Sequence, residues 1–143
     1  MERFLVGIDG TECGDRALAA AARHAQAAEA ELLLCYVIDW SPFTFSTPEE
    51  NAERHRRREE ELVKARTKLI EPRLAELRST GLRVEGIARH GHAARTLSKL
   101  AEERDISMIV VGRAGDRPTR TRIFGGTAAA LVQTAPCPVL VVP

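Results

Sequence analysis

Five short apolar runs, separated by longer stretches of helical character, restrict this chain to a narrow set of folds. Phe4–Ile8 and Leu32–Ile38 read as strands. Between them, Thr11 can cap a helix through the Ala-rich stretch from Ala17 to Ala30. Leu82–Arg89 alternates apolar and polar residues, with Ile87 the exception, and this predicts a half-exposed edge strand. Ile106–Gly112 is apolar on both faces and belongs at the sheet centre, and Val139–Val142, between Pro138 and Pro143, reads as the last strand. Further helices are predicted over 48–79, over 92–104, and from Gly125-Gly126-Thr127 to Pro136, because the residue before a proline avoids the helical region. Leu62, Leu69, Ile70, Leu74 and Leu77 give the charged helix one packed face, and Pro72 should bend or break it. The order βαβαβαβαβ predicts the α/β class, with a doubly wound parallel sheet, right-handed crossovers and helices on both faces. The whole chain, 1–143, reads as a single domain.

The last strand carries a contradiction. Its flanking prolines place it at a sheet edge, yet Val139–Val142 is entirely apolar, and a bare apolar edge invites another chain to pair with it. A two-fold copy of the same strand resolves this and predicts a homodimer through Val139–Val142; the alternative is that the chain's own loops cover the edge.

In a doubly wound sheet a ligand sits beyond the carboxyl ends of the strands, where chain order reverses. With the first strand central and the fourth beside it, that point is flanked by Asp9-Gly10-Thr11 and by Gly112-Arg113-Ala114-Gly115. The stretch from Gly112 to Thr127 then reads G-x-x-G, nine residues, and Gly125-Gly126-Thr127 at a helix start. Glycines allow close backbone approach to an anion, and free amides at a helix amino terminus bind phosphate oxygens. Charge supports this locally. The chain as a whole carries +1, which argues against a broad polyanion surface. Yet Arg113, Arg117, Arg120 and Arg122 against Asp116 make this one loop +3. Aromatics at 4% leave little material for base stacking, so nucleic acid is disfavoured as a partner.

With these residues in view, the sequence resembles the universal stress protein family. The likeness runs from Leu5-Val6-Gly7-Ile8-Asp9-Gly10-Thr11 to Ala135-Pro136-Cys137-Pro138-Val139-Leu140-Val141-Val142, with Arg89-His90-Gly91 and Ile109-Val110-Val111-Gly112 in order between them. It implies a five-stranded parallel sheet of order 3-2-1-4-5, dimerisation through the final strand and a role in stress response. For the subgroup with G-x2-G-x9-G-[Ser/Thr] it implies binding of ATP, or of AMP or ADP, with Mg²⁺ held by the phosphates. By matched position, Asp9 would accept hydrogen bonds from the ribose hydroxyls, and Ile8 and Val37 would contact adenine. Val111 and Gly112 would lie along adenine and ribose, with Gly115, Gly125, Gly126 and Thr127 around the phosphates and Arg113 in the same loop. The chain departs from the pattern at one place: Gly126 occupies the usual Ser or Thr position, and the hydroxyl has moved to Thr127. Ala93 also stands where the family often has proline.

Other features read more plainly. Cys13, Cys35 and Cys137 are odd in number and widely spaced, so free thiols are expected, mostly buried. His90-Gly91-His92 lies in a predicted loop without a matching ligand set, and no metal site is assigned. The run Arg54-His55-Arg56-Arg57-Arg58 is flanked by six glutamates and reads as a solvated, salt-bridged helix face. Trp40, Phe43 and Phe45 cluster in the loop after the second strand, as a cover for the charged helix or a lid on the site. Asp9 could instead serve only to cap the first helix. No Walker lysine and no nucleophile turn is present, so no catalytic residue is assigned. Three functions remain: a nucleotide-binding stress regulator, which is favoured; a slow ATP hydrolase; and a dimeric interaction module without nucleotide. No signal peptide or membrane-spanning run is read, and a cytoplasmic location is expected.

Overall fold

The computed structural model describes residues 1–39, 47–114 and 126–143. In chain order these form β1 (Arg3–Ile8), α1 (Glu12–Ala28), β2 (Glu31–Asp39), α2 (Pro48–Ala65), α3 (Glu71–Arg78), β3 (Val84–Gly91), α4 (Ala93–Glu103), β4 (Met108–Gly112), α5 (Gly126–Thr134) and β5 (Val139–Val142). The strands make one parallel sheet of order β3-β2-β1-β4-β5, the order expected.

The period-2 geometry of the central strands divides the core in two. Phe4, Val6 and Ile8 of β1 turn to the face covered by α1 and α3, among Ala17, Ala21, Ala25, Ile70 and Leu74. Leu5 turns to the other face, with Leu97 and Leu100 of α4 and Leu131 of α5. Fully burying a Leu or Val side chain stabilises by roughly 1.5–3 kcal/mol before chain entropy is counted, and Leu5, Leu34, Ile109 and Val110 are among the residues buried to that degree. The alanines of α1 keep its packed face thin and bring the helix close to the sheet.

Helix ends follow local chemistry. Thr11 caps α1 by accepting the Gly14 amide at 3.2 Å, and Glu12 and Asp15 place negative charge in its first turn. Thr47 and Glu50 form a reciprocal capping box at the start of α2. The long charged helix does not break at Pro72. A five-residue π turn, Arg66–Ile70, joins α2 to α3, and the Glu71 amide reaches back to the Arg66 carbonyl. Widening the helix by one residue just before Pro72 absorbs the missing amide and the ring's bulk. Part of the predicted stripe packs: Ile70 and Leu74 are fully buried and Leu77 lies against the same core, while Leu62 and Leu69 are only half-buried.

The third strand is displaced from its predicted limits. It runs Val84–Gly91 rather than Leu82–Arg89, because β2 extends to Asp39 and supplies ladder partners as far as Asp39 opposite Gly91. Leu82 stays buried as an anchor just before it. Strand β5 is an edge, paired with β4 from Ile109 opposite Val139 to Gly112 opposite Val142. Its four apolar residues are each only half-buried.

Candidate functional site

Strand register sets the site. Ile8 lies opposite Tyr36, so Val37 is one step beyond it on β2, and the β1–β4 register, continued from Val6 opposite Val110, brings Ile8 level with Gly112. From these adjacent ends the chain departs to opposite faces, through Asp9–Thr11 to α1 and towards α5 on the other side. The carboxyl ends of β1 and β4 therefore open a crevice at the switch point of the sheet.

One wall is the turn after β1. Asp9 is exposed, and its Oδ1 accepts from the Thr11 amide at 3.0 Å and from the Thr11 hydroxyl. Gly10 makes the turn with φ +80°, a conformation L side chains rarely adopt. Both hydrogen bonds that the Asp9 side chain makes among the described residues go to Oδ1, and Asp9 thus orders the cap of α1 through Thr11. The opposite wall is the end of β4. Arg113 donates its amide to the Val142 carbonyl at 2.7 Å, and the Cys13 thiol lies 3.7 Å from the same oxygen. Gly112 presses on the first turn of α1: a Cβ there would stand 2.7 Å from Cys13 Sγ and 3.1 Å from the Cys13 carbonyl.

The other anticipated residues divide by exposure. Ile8 and Val111 are buried, at 5% and 3% exposure, on opposite faces of the sheet. Val37, Gly112, Arg113 and Thr127 are half-buried and Gly126 is exposed. Gly126 opens α5, and among the described residues a Cβ placed on it would meet nothing within 4 Å. Gly115 and Gly125, Asp116 and the arginines at 117, 120 and 122, and the aromatic cluster of Trp40, Phe43 and Phe45 all lie outside the described residues.

The histidine pair is corrected by the structure. His90 is not in a loop but in β3, with a side chain 13% exposed and Nε2 3.1 Å from Glu61 Oε2 of α2. His92 caps α4, where Nδ1 accepts the Arg95 amide at 3.5 Å. Each imidazole has a structural partner, and among the described residues no group of three potential ligands could hold a metal ion. The basic run of α2 is salt-bridged as expected, with Arg56 on Glu53 and His55 on Glu59. All three cysteines are free. Burial pushes the Cys35 thiol up to about 12, with the Arg89 guanidinium opposing, and burial also raises Cys137. Neither is an activated nucleophile. A cavity of about 160 Å³ sits at the far, amino end of the strands, but its charged lining is self-paired, Arg3 with Glu31 and Arg104 with Glu85.

Sequence reasoning missed Cys13 and Gly14, which form the shared base of both walls. A signal was present: a glycine in the first turn of a helix, at the position where a capping box places Glu or Gln.

Comparison with known proteins agrees with this architecture. The sequence profile of the universal stress protein family matches residues 1–143. Universal stress protein YxiE of Bacillus subtilis is 29% identical over 147 residues, covering 98% of this chain and 97% of that protein. Among solved structures, universal stress protein UspA from Lactobacillus plantarum superposes with a TM-score of 0.85 at 25% identity, covering 99% of this chain and 97% of that one. The universal stress protein from Archaeoglobus fulgidus in complex with dAMP shares the fold, with a TM-score of 0.64 at 17% identity over 100% of this chain and 98% of its own.

Proposed function

Because this chain belongs to the universal stress protein family, we propose that it is a cytoplasmic stress-response regulator that binds ATP, or a related adenine nucleotide, at the crevice between β1 and β4. The observation that supports this reading is the placement of an exposed carboxylate and a helix amino terminus at the same, carboxyl end of the sheet: Asp9 at the end of β1 and Gly126-Thr127 at the start of α5. A structural relative solved with dAMP supports an adenine nucleotide as the ligand.

In this reading Oδ2 of Asp9 accepts a ribose hydroxyl while Oδ1 stays engaged with Thr11. Adenine rests against the strand ends at Ile8, Val37, Val111 and Gly112. The phosphates would be held by Arg113, by Gly115 and Gly125, by the amides of Gly126 and Thr127 and by the Thr127 hydroxyl, and any Mg²⁺ would be held by the phosphates, whose charge it would offset. Gly126 in the usual hydroxyl position leaves the backbone amides available, so phosphate binding survives at a cost of about 1 kcal/mol for one lost hydrogen bond. No residue is assigned to hydrolysis. We also propose that two chains pair through the open β5 edge, and nucleotide occupancy would bias that dimer or a partner surface.

Mass spectrometry of the denatured protein after purification under native conditions tests the ligand. Release of an adenine nucleotide is the expected result. No nucleotide, together with no binding at about millimolar ATP, overturns the reading in favour of an interaction module.

A further inference from the structure

The first turn of α1 holds a glycine where helix chemistry favours other residues. Gly14 is the third residue of α1 and is buried. Alanine is the better helix former, and a glutamate there would complete a capping box with Thr11. Neither fits. A Cβ on Gly14 would lie 2.5 Å from Asp9 Oδ1 and 3.3 Å from the Asp9 amide nitrogen, so the bare Cα is what allows the Asp9 carboxylate to fold back over the helix start. In that seat Oδ1 is held by the Thr11 amide, and Thr11 in turn is held by the Gly14 amide at 3.2 Å. The preceding residue, Cys13, bears on Gly112 of β4. One dipeptide of α1 therefore touches both walls of the crevice, yet neither of its residues is among those the family pattern brings to the ligand.

We propose that Gly14 is a positioning residue of the nucleotide site: its missing side chain seats the Asp9 carboxylate so that one oxygen is fixed in the turn and the other meets the sugar hydroxyls. This rests on Asp9 as the ribose acceptor. A side chain at position 14 displaces the carboxylate, and affinity is lost only for ligands that carry the hydroxyls Asp9 would bind.

The test is calorimetric titration of wild type and Gly14→Ala with ATP and with 2′,3′-dideoxy-ATP. Wild type is expected to favour ATP by about tenfold or more, as for a hydrogen bond to a charged acceptor. Gly14→Ala is expected to bind the two ligands within roughly threefold of each other, at the wild-type affinity for the dideoxy compound. Undiminished preference for ATP in Gly14→Ala overturns the proposal, and so does an equal loss for both ligands, which would signal general damage to the crevice. Wild type that binds neither nucleotide overturns the nucleotide reading itself; wild type that binds both alike overturns the role of Asp9, and that of Gly14 with it. Thermal unfolding supplies the second arm and remains readable if Gly14→Ala folds poorly. With the carboxylate absent, Asp9→Ala/Gly14→Ala is expected to be at least as stable as Asp9→Ala. The same destabilisation by Gly14→Ala in both backgrounds contradicts the seating contact.

Discussion

Asp9 is the residue on which structure and function converge, and its two roles are separable by measurement. Its Oδ1 orders the turn into α1, while its exposed position at the end of β1 suits it to a ligand hydroxyl. Asp9→Ala should weaken ATP binding roughly tenfold to a hundredfold, the worth of a hydrogen bond to a charged group. It should lower stability by about 1 kcal/mol, because the turn is open to water. Titration calorimetry and urea unfolding on one preparation read both; unchanged affinity would confine Asp9 to capping.

Cys35 gives a pH signature. Folded, its thiol keeps its proton up to about pH 12, against an ordinary value of 9.0. Between those values the unfolded state binds fewer protons than the folded one, so this contribution is intact below pH 9 and is lost as pH rises towards 12. Urea unfolding at about pH 8 and about pH 10.5 should show the stability gap between wild type and Cys35→Ala narrowing with pH. A constant gap contradicts a buried, neutral thiol. At this scale the sequence was readable where chemistry is local, as in the Thr11 cap. It was silent where space decides: a glycine in the first helical turn marks Gly14 as unusual, but nothing in the pattern says that it makes room for a carboxylate, or that His90 finds Glu61 from another element.

Among the elements, the strands were legible, because apolar runs of period 2 and of fully apolar type differ in plain view, while their order in the sheet came from the family resemblance. The π turn was not. Pro72 forces a departure from regular helix, but whether the chain kinks, breaks or widens depends on what lies beneath. Here the widened turn puts Ile70 and Leu74 directly on Gly86 of β3, where a Cβ would collide with Ile70 Cγ2 and lie 2.9 Å from Leu74 Cδ1. Gly86→Ala should therefore cost about 1–3 kcal/mol by overpacking. Combined with Ile70→Ala, which removes the colliding Cγ2, the loss should be smaller than the sum of the two single losses, since the two sites share one contact. Thermal melts of the single and double variants check this, and strictly additive losses would place the strain elsewhere. The limits of β3 were misjudged for a related reason: a parallel strand is as long as its partner permits, and β2 continues to Asp39.

For the whole molecule, the same sheet has two distinct edges. β3 is an edge covered in part by α2, through Glu61 on His90, and by the π turn after it, through the Arg66 guanidinium on the Gly86 carbonyl at 3.1 Å. β5 is an edge of four apolar, half-buried residues. A second copy aligned on β5 would pair its backbone and bury Val139–Val142 further. Light scattering should return twice the mass of one chain at micromolar concentrations, and the mass of one chain at every concentration would contradict that pairing.

The overall charge, close to zero, says little about ligands. Placement says more: a carboxylate at the end of β1 and the amino terminus of α5 lie at one end of the sheet, while the charges at the other end pair among themselves. The central claim is that one adenine nucleotide occupies the first of these ends. Titration of the ¹⁵N-labelled protein with ATP and Mg²⁺, followed by amide NMR, tests it most directly. Saturable shifts at Asp9–Thr11, Gly112, Arg113, Gly126 and Thr127 are the predicted result. Shifts confined to the amino ends of the strands, around Glu31 and Glu85, or no shifts at about millimolar nucleotide, would contradict it.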